Sequence, residues 1–406
     1  MEVTRGYKLT DFGVIPADWN AEAIEDIATV GRGRVISHKE IARSRISQFP
    51  VYSSQTSDNG IMGYLDAYEF EGEYVTWTTD GANAGTVFAR DGRFNCTNVC
   101  GTIKLKSANH FFIASVLGKL SPRHVSRHLG NPKLMNDVMK RIKVPLPPTR
   151  AEQDLIAEAL TDADTLLAGL DRLIAKKRDL KRAAMQQLLT GQTRLPGFHG
   201  EWEARPLSAV VADLEAGVSV NSVAGASHSG SAEPGILKTS CVSDGAFDPA
   251  EYKVIDPRDL ARARLNPQRN SLIISRMNTP NLVGEVGFVE HHCPDLFLPD
   301  RLWMTRFRPD SRLCTKWLAY VMSSPAVKRA IKDLASGTSG SMKNIAKGKL
   351  LALPLAFPTP QEQEAIATVL SDMDAELTAL QARRDKTRAL KQGMMQELLT
   401  GRTRLL

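Results

Sequence analysis

Residues Thr149 to Leu195 and Thr359 to Leu405 are two ungapped copies of one segment, displaced by 210 residues and matching at roughly half of their positions. They close almost identically, as QQLLTGQTRL and QELLTGRTRL. Both open with Thr and, three residues on, Glu: TRAE at Thr149 and TPQE at Thr359. This is capping-box spacing, in which the Thr oxygen takes a first-turn amide while the Glu carboxylate reaches back to the Thr amide. Pro360 stands at the first helical position, where its missing N–H is harmless. The preceding VPLPP and LPLAFP are unfit for helix. Each copy therefore begins a helix at a sharply defined place.

Within the first copy Ile156, Leu160, Ala163, Leu167, Leu170 and Ile174 alternate four and three residues apart, and Ile366, Leu370, Met373, Leu377 and Leu380 do so in the second. That is the spacing of a coiled-coil seam. Beyond it the same phase meets Lys177 and Lys181, or Thr387 and Lys391. The seam is expected to move to Leu180, Ala184 and Leu188, and to Leu390, Met394 and Leu398, a phase shift that alters local winding. A helix from Glu152 to Gln187 is roughly 50 Å long at ~1.5 Å per residue, and its apolar stripe must be buried. Mutual pairing of the two matched helices is expected, with Gly191 and Gly401 taking the left-handed conformation that ends each.

A weaker repeat aligns VIPADWNAEAI with GFHGEWEARPL, Trp19 with Trp202. The chain then runs lead-in, globular segment, helix, lead-in, a globular segment about 27 residues longer, helix. Both globular segments mix short β-branched runs, Gly and Asn turns and one helical stretch, HFFIASVLGKL or KWLAYVMSSPAVKRAIKDL. An α+β fold follows, pseudo-symmetric about two antiparallel long helices. Residues Arg404 to Leu406 are then expected near Trp19, as the interior copy is near Trp202.

Of the 406 residues, 42% are hydrophobic and 24% charged, which excludes disorder, and no apolar run reaches the length of a membrane span. The start MEVTRGYKLTDFG has no apolar core of a secretory signal, so a cytoplasmic location is expected. Five cysteines without a paired CxxC are expected to be reduced and mostly buried. Catalytic signatures are missing: GRGRV lacks the third glycine of a dinucleotide fingerprint, and neither a phosphate loop nor HExxH is present. His291, His292 and Cys293 read as a turn rather than a metal site.

A net charge of +7 suits a polyanionic partner. Basic side chains concentrate in irregular stretches: Arg32 and Arg34 in the first segment, with Arg123, Arg127 and Lys133 later in it. The second segment has Arg258, Arg262, Arg264 and Arg269, then Lys343, Lys347 and Lys349 after the loop ASGTSGS. Such loops suit phosphate contacts. Polar groups able to read base edges are Ser53, Ser54, Asn59, Asp80 and Asn83 in the first segment and Arg276, Asn278, Thr279 and Asn281 in the second. A scaffold whose two domains hold protein partners is the alternative, and the Arg-rich loops favour DNA.

With these motifs in view, the chain resembles the specificity (S) subunit of type I restriction-modification systems over nearly its whole length. VPLPPTRAEQDLIAEAL and FPTPQEQEAIATVL carry the resemblance of the conserved regions. DGANAGTVF with NCTNVCGTIK, and SGTSGSMKNIAKGKLLALPL, resemble segments of the recognition domains. The resemblance implies a lead-in at 1–19, target-recognition domains at 20–148 and 205–358, and conserved helical regions at 149–204 and 359–406. It implies that each domain reads half of a bipartite, asymmetric double-stranded DNA target, with an antiparallel coiled coil spacing the halves by about one DNA turn, roughly 34 Å. It also implies a chain that catalyses nothing and holds no cofactor. Two modification subunits would bind S-adenosylmethionine, restriction subunits would use ATP, and no membrane would be involved. Lys133 is the implied counterpart of Lys343.

Overall fold

Each copy of the long repeat folds as one uninterrupted helix. The computed structural model describes residues 5–11, 13–127, 130–223, 233–337 and 342–405. Four helices matter below: α1 (His110–Leu120), α2 (Arg150–Leu188), α3 (Thr315–Ser323) and α4 (Pro360–Leu398). Thr149 Oγ1 accepts the Glu152 amide, and Thr359 Oγ1 the Glu362 amide, each at 3.3 Å. The reciprocal half of the expected box is not formed. Both carboxylates turn away to bind an arginine, a charge-assisted contact stronger than one to a backbone amide.

Packing divides the chain into two units, residues 1–172 with 381–406 and residues 173–380, so the division falls inside both long helices. In the first unit, strands Ala28–Arg32, Cys100–Leu105, Tyr74–Thr78 and Val87–Arg90 lie side by side in that order. In the second, Val211–Ala216, Leu302–Phe307, Leu272–Ser275 and Val286–Phe288 repeat the order, and Gly245–Phe247 and Val242–Ser243 extend the sheet. A strand directly after Trp19, Asn20–Ala23, pairs antiparallel with Lys143–Leu146 just before α2. After Trp202, Glu203–Pro206 pairs likewise with Pro354–Phe357 before α4. The globular repeat that side chains hide is thus kept in strand order.

The opening turns of each long helix belong to the core of the domain that precedes it. Ile156 and Leu160 pack with Ile24, Phe112 and Ile113, and Leu398 and Leu399 from the end of α4 join them. In the second unit Ile366 and Leu370 pack with Trp317 and Leu318, together with Leu188 and Leu189 from the end of α2. Each core thus includes the start of one long helix and the finish of the other. Cross-helix ion pairs fix the direction: in one unit Asp164 meets Lys391 and Asp171 meets Arg384, in the other Lys177 meets Glu376 and Lys181 meets Asp374. Partner numbers fall as residue numbers rise, so the pairing is antiparallel. Two of these pairs, Asp164 with Lys391 and Lys181 with Asp374, are the same pair in the two copies of the repeat.

Among the expected seam residues, Ile156, Leu160, Leu170, Ile366, Leu370 and Leu377 are buried, and Leu167 and Leu380 half-buried. The expected phase shift does not occur. Leu180 is 47% and Leu390 64% exposed, whereas Leu188 and Leu398, which already fit the original spacing, are buried. Lys177, Lys181 and Lys391 keep their seam positions, each half-buried and carrying its ammonium to a carboxylate on the facing helix. Among the described residues no helix is long and apolar enough to cross a membrane.

Candidate nucleic-acid interface

Two loops meet at one edge of the first domain's sheet. Strand Tyr74–Thr78 runs into the turn TDGANAG, held by Gly85 N–H to the Thr78 carbonyl at 2.8 Å and by Gly81 N–H to the Pro132 carbonyl at 2.9 Å. Gly81 and Gly85 sit at φ +94° and +85°, where a side chain would be strained. Lys133 is thereby brought beside Asp80, its Nζ 3.8 Å from Oδ1. Arg32, at the end of strand Ala28–Arg32 on the far side of Cys100–Leu105, donates Nη2 to Thr79 Oγ1 at 2.8 Å and to Asp80 Oδ2 at 3.1 Å. Three residues far apart in sequence, Arg32, Asp80 and Lys133, thus form one half-exposed cluster. Asn83, on the same turn, points its Nδ2 at the Ser54 carbonyl, 3.5 Å away, and Ser53 N–H donates to the Gly60 carbonyl. Asn59 has φ +50°, a turn conformation its short polar side chain tolerates.

The corresponding place in the second domain is an open cavity of about 710 Å³. Arg264, Arg276, Asn344 and Lys347 line it, over Trp303. Arg276 follows strand Leu272–Ser275 and is fixed on both sides of its peptide: its N–H donates to the Arg301 carbonyl at 3.1 Å, and its carbonyl accepts the Ile345 N–H at 2.9 Å. Its guanidinium lies 5.3 Å from the Trp303 ring centre. Lys347 pairs with Asp213, and that hydrogen bond holds the Asp213 carboxyl below the usual carboxylate range. Glu215 is taken by Arg306 at 2.9 Å. Each carboxylate lining the cavity is engaged, and Arg264 and Arg276 make no ion pair among the described residues.

Residues 16–176 match the family model of the type I restriction modification DNA specificity domain. A Mycoplasma pneumoniae chain named as the N-terminus of type I specificity subunit S.MpnORF289P is 45% identical over 123 residues, 30% of this chain and 65% of that one. The specificity subunit of the type I restriction enzyme MpnII, from the same organism, is 35% identical over 161 residues, 39% of this chain and 48% of its own. The chain therefore spans less than two thirds of the length of these relatives. The crystal structure of the S subunit of a type I restriction-modification system from M. genitalium superposes with a TM-score of 0.65 at 13% identity, covering 96% of this chain and 97% of that one. Residues 16–176 thus resemble the type I DNA specificity domain, and nearly the whole chain shares its fold with the M. genitalium S subunit.

The other residues singled out in the sequence scatter. Arg34 is clamped between Glu40 and Glu69, which raise its pKa, and so is occupied within its own domain. Asn278 is buried, donating Nδ2 to Ser275 Oγ at 3.1 Å and accepting the Thr279 N–H at 2.8 Å, a turn-holding role. Thr279 and Asn281 are exposed on that turn, and the Asn281 carbonyl accepts from Lys332. Lys343 donates to the Gly337 carbonyl at 2.9 Å, Arg262 pairs with Asp259, and Arg127 is exposed. Residues 338–341 of the Gly/Ser loop, the first four residues, His128, Leu129 and Leu406 lie outside the described residues.

The matching of Lys133 with Lys343 is off by one residue. Leu134 N–H donates to the Thr79 carbonyl as Ile345 N–H donates to that of Arg276, so Lys133 corresponds to Asn344. In sequence the Gly/Ser-Lys pattern places the match one residue early, at Lys343. His292 turns Nδ1 to the Pro267 carbonyl at 3.0 Å, as expected of a turn. All five cysteines are free thiols, and Cys96, Cys100 and Cys241 are buried.

Two features were not singled out in the sequence. His110, at the start of α1, is buried with Asp91 2.8 Å from Nε2 and Glu73 3.2 Å from Nδ1. The carboxylates stand at opposite nitrogens, which suits a bracketed histidine better than a chelated ion. Gln153 and Gln363 are both buried; their side-chain oxygens accept the amides of Asn109 and Cys314, which precede α1 and α3, and their nitrogens donate to the Pro147 and Pro358 carbonyls. The Glu-Gln pair repeated at the head of each long helix is therefore a fastener between helix and domain.

Proposed function

We propose that the chain is the sequence-specific DNA-binding specificity subunit of a type I restriction-modification complex. Each domain reads one half of a bipartite, asymmetric target, and the paired helices set the spacing. The observation that carries this reading is the repeated sheet order with unlike side chains at one edge, Arg32, Asp80 and Lys133 in one domain and Arg264, Arg276 and Lys347 in the other. One frame with different contact residues suits two different half-sites. Specificity comes from base-edge contacts on rigid supports, and affinity from phosphate contacts by the surrounding basic loops.

On this reading the chain itself catalyses nothing. Two modification subunits bring S-adenosylmethionine and methylate the target, restriction subunits bring ATP, and the assembly works in the cytoplasm. Partner docking is assigned to the lead-in segments and the outer faces of α2 and α4. Fluorescence titration of the full chain against duplexes carrying its methylated target, identified by single-molecule sequencing of host DNA, tests the proposal. Lengthening the spacer by three base pairs is expected to abolish specific binding, and undiminished binding would remove the ruler role.

A further inference from the structure

The two recognition sheets carry their arginine at the same edge but on different strands. Hydrogen-bond register makes the positions comparable. Gly101 lies opposite Arg32 on one side and Trp77 on the other; Trp303 lies opposite Ala216 and Ile274 in the same way. Arg32 thus corresponds to Ala216, and Thr79 to Arg276. Across this row the first domain has Arg32, Gly101 and Trp77 and the second Ala216, Trp303 and Ile274, and two residues beyond Trp77 and Ile274 stand Thr79 and Arg276. The aromatic is exchanged too. Gly101 leaves room for Trp77, since a Cβ there would meet the indole at 2.2 Å, while in the second domain the indole stands at the Gly101 position and Ile274 faces it.

Both arginines are held in ways that orient a planar fork. Arg32 is braced by Thr79 and Asp80, which use Nη2. Arg276 rests on Trp303, and its Nε is buried without a hydrogen-bond partner among the described residues. A guanidinium fixed in one plane matches the two acceptors, O6 and N7, on the major-groove edge of guanine, and an ammonium does not.

Resting on the DNA-reading role proposed above, we propose that Arg32 and Arg276 are the guanine-reading residues of the first and second half-sites, placed at one edge of a common sheet from exchanged strands. The test is selection of duplexes from a random pool by the full chain, alone and assembled with its modification subunits, followed by sequencing. Arg276→Lys and Arg276→Ala are each expected to lower the preference for guanine at one position of one half-site by about ten- to a hundredfold and to leave the other half-site unchanged. Arg32→Lys is expected to do the same in the other half-site. A thermal melt of each variant separates misfolding from lost readout, and the lysine variants keep the charge. Binding weakened evenly over all sequences, with a shallower salt slope, would make these phosphate contacts and overturn the assignment. Retained specificity with another base preferred throughout both half-sites by the unsubstituted chain also overturns it, while the DNA-reading role stands. Absence of any selected sequence would overturn that role as well.

Discussion

Arg404 Nη2 lies 2.8 Å from Oε2 of Glu152, a carboxylate with no solvent exposure, and its Nε binds the other oxygen. Its second nitrogen also reaches Asp18, and the guanidinium covers the Trp19 ring at 5.8 Å. The interior repeat makes the same contact: Arg194 Nη2 is 2.6 Å from Glu362 Oε2 and 5.6 Å over Trp202. The TRL ending of each helix is thus a clamp on the head of the other. Arg404→Ala leaves a buried carboxylate unpaired and is expected to cost about 2 kcal/mol, less than a fully buried pair because Arg404 stays 30% exposed. Denaturant unfolding measures it, and Arg194→Ala should move stability in the same direction.

The seam keeps its phase through the lysines, so Leu390 is a surface residue and Leu370 a core one. Leu390→Gln is expected to change stability by less than about 0.5 kcal/mol, whereas Leu370→Ala should cost about 3 kcal/mol. Chemical denaturation of the two variants distinguishes the continuous seam from a shifted one, which demands a large loss at Leu390.

Gly191 and Gly401 both end their helices in the left-handed region, at φ +71° and +66°. Alanine at Gly191 meets Trp202 at 3.4 Å, an ordinary contact, and should cost only the backbone strain, about 1 kcal/mol. At Gly401 the added carbon would lie 2.5 Å from Pro16 Cγ. Gly401→Ala is therefore expected to be the more damaging of the pair, readable as the larger drop in melting temperature. Equal drops would mean that the Pro16 contact relaxes freely.

DNA affinity should fall steeply as salt rises, because bound phosphates release counterions. Lys133→Ala is expected to weaken binding to all sequences alike and to lower the log–log salt slope by about one. A change confined to one sequence would instead assign Lys133 to base reading.

Cys241 is buried, and burial pushes its thiol pKa up to about 12. A thiol titrating so high stays protonated at pH 8 and cannot attack an alkylating reagent. Mass spectrometry after brief iodoacetamide treatment should find Cys293 labelled ahead of Cys241, and the reverse order would contradict this packing.

The repeated helices could be read directly because their information is local. Capping residues, heptad spacing and the terminating glycines act within a few positions of one another, so Thr149, Ile156 and Gly191 announce themselves. The lead-in repeat was legible through Trp19 and Trp202 for a different reason: each fits against a helix ending that is itself repeated. Harder cases depended on distance. Lys177, Lys181 and Lys391 read as a broken seam because a sequence does not show which carboxylate waits on the facing helix. Leu134 and Ile345 had to be hydrogen-bonded to the preceding loop before Lys133 could be matched with Asn344.

By itself the sequence determined a doubled α+β plan, two long helices with heptad seams, their starts and stops, and a basic surface without catalytic signatures. Tertiary structure alone decided that Glu152 and Glu362 abandon the helix cap for an arginine, that Arg34 is consumed by Glu40 and Glu69, and that Arg32 and Arg276 stand at one edge from different strands. Local signals survive in one dimension because neighbouring residues interact through a fixed backbone geometry. A charge or a planar donor acquires its role only from partners that the fold brings from far along the chain.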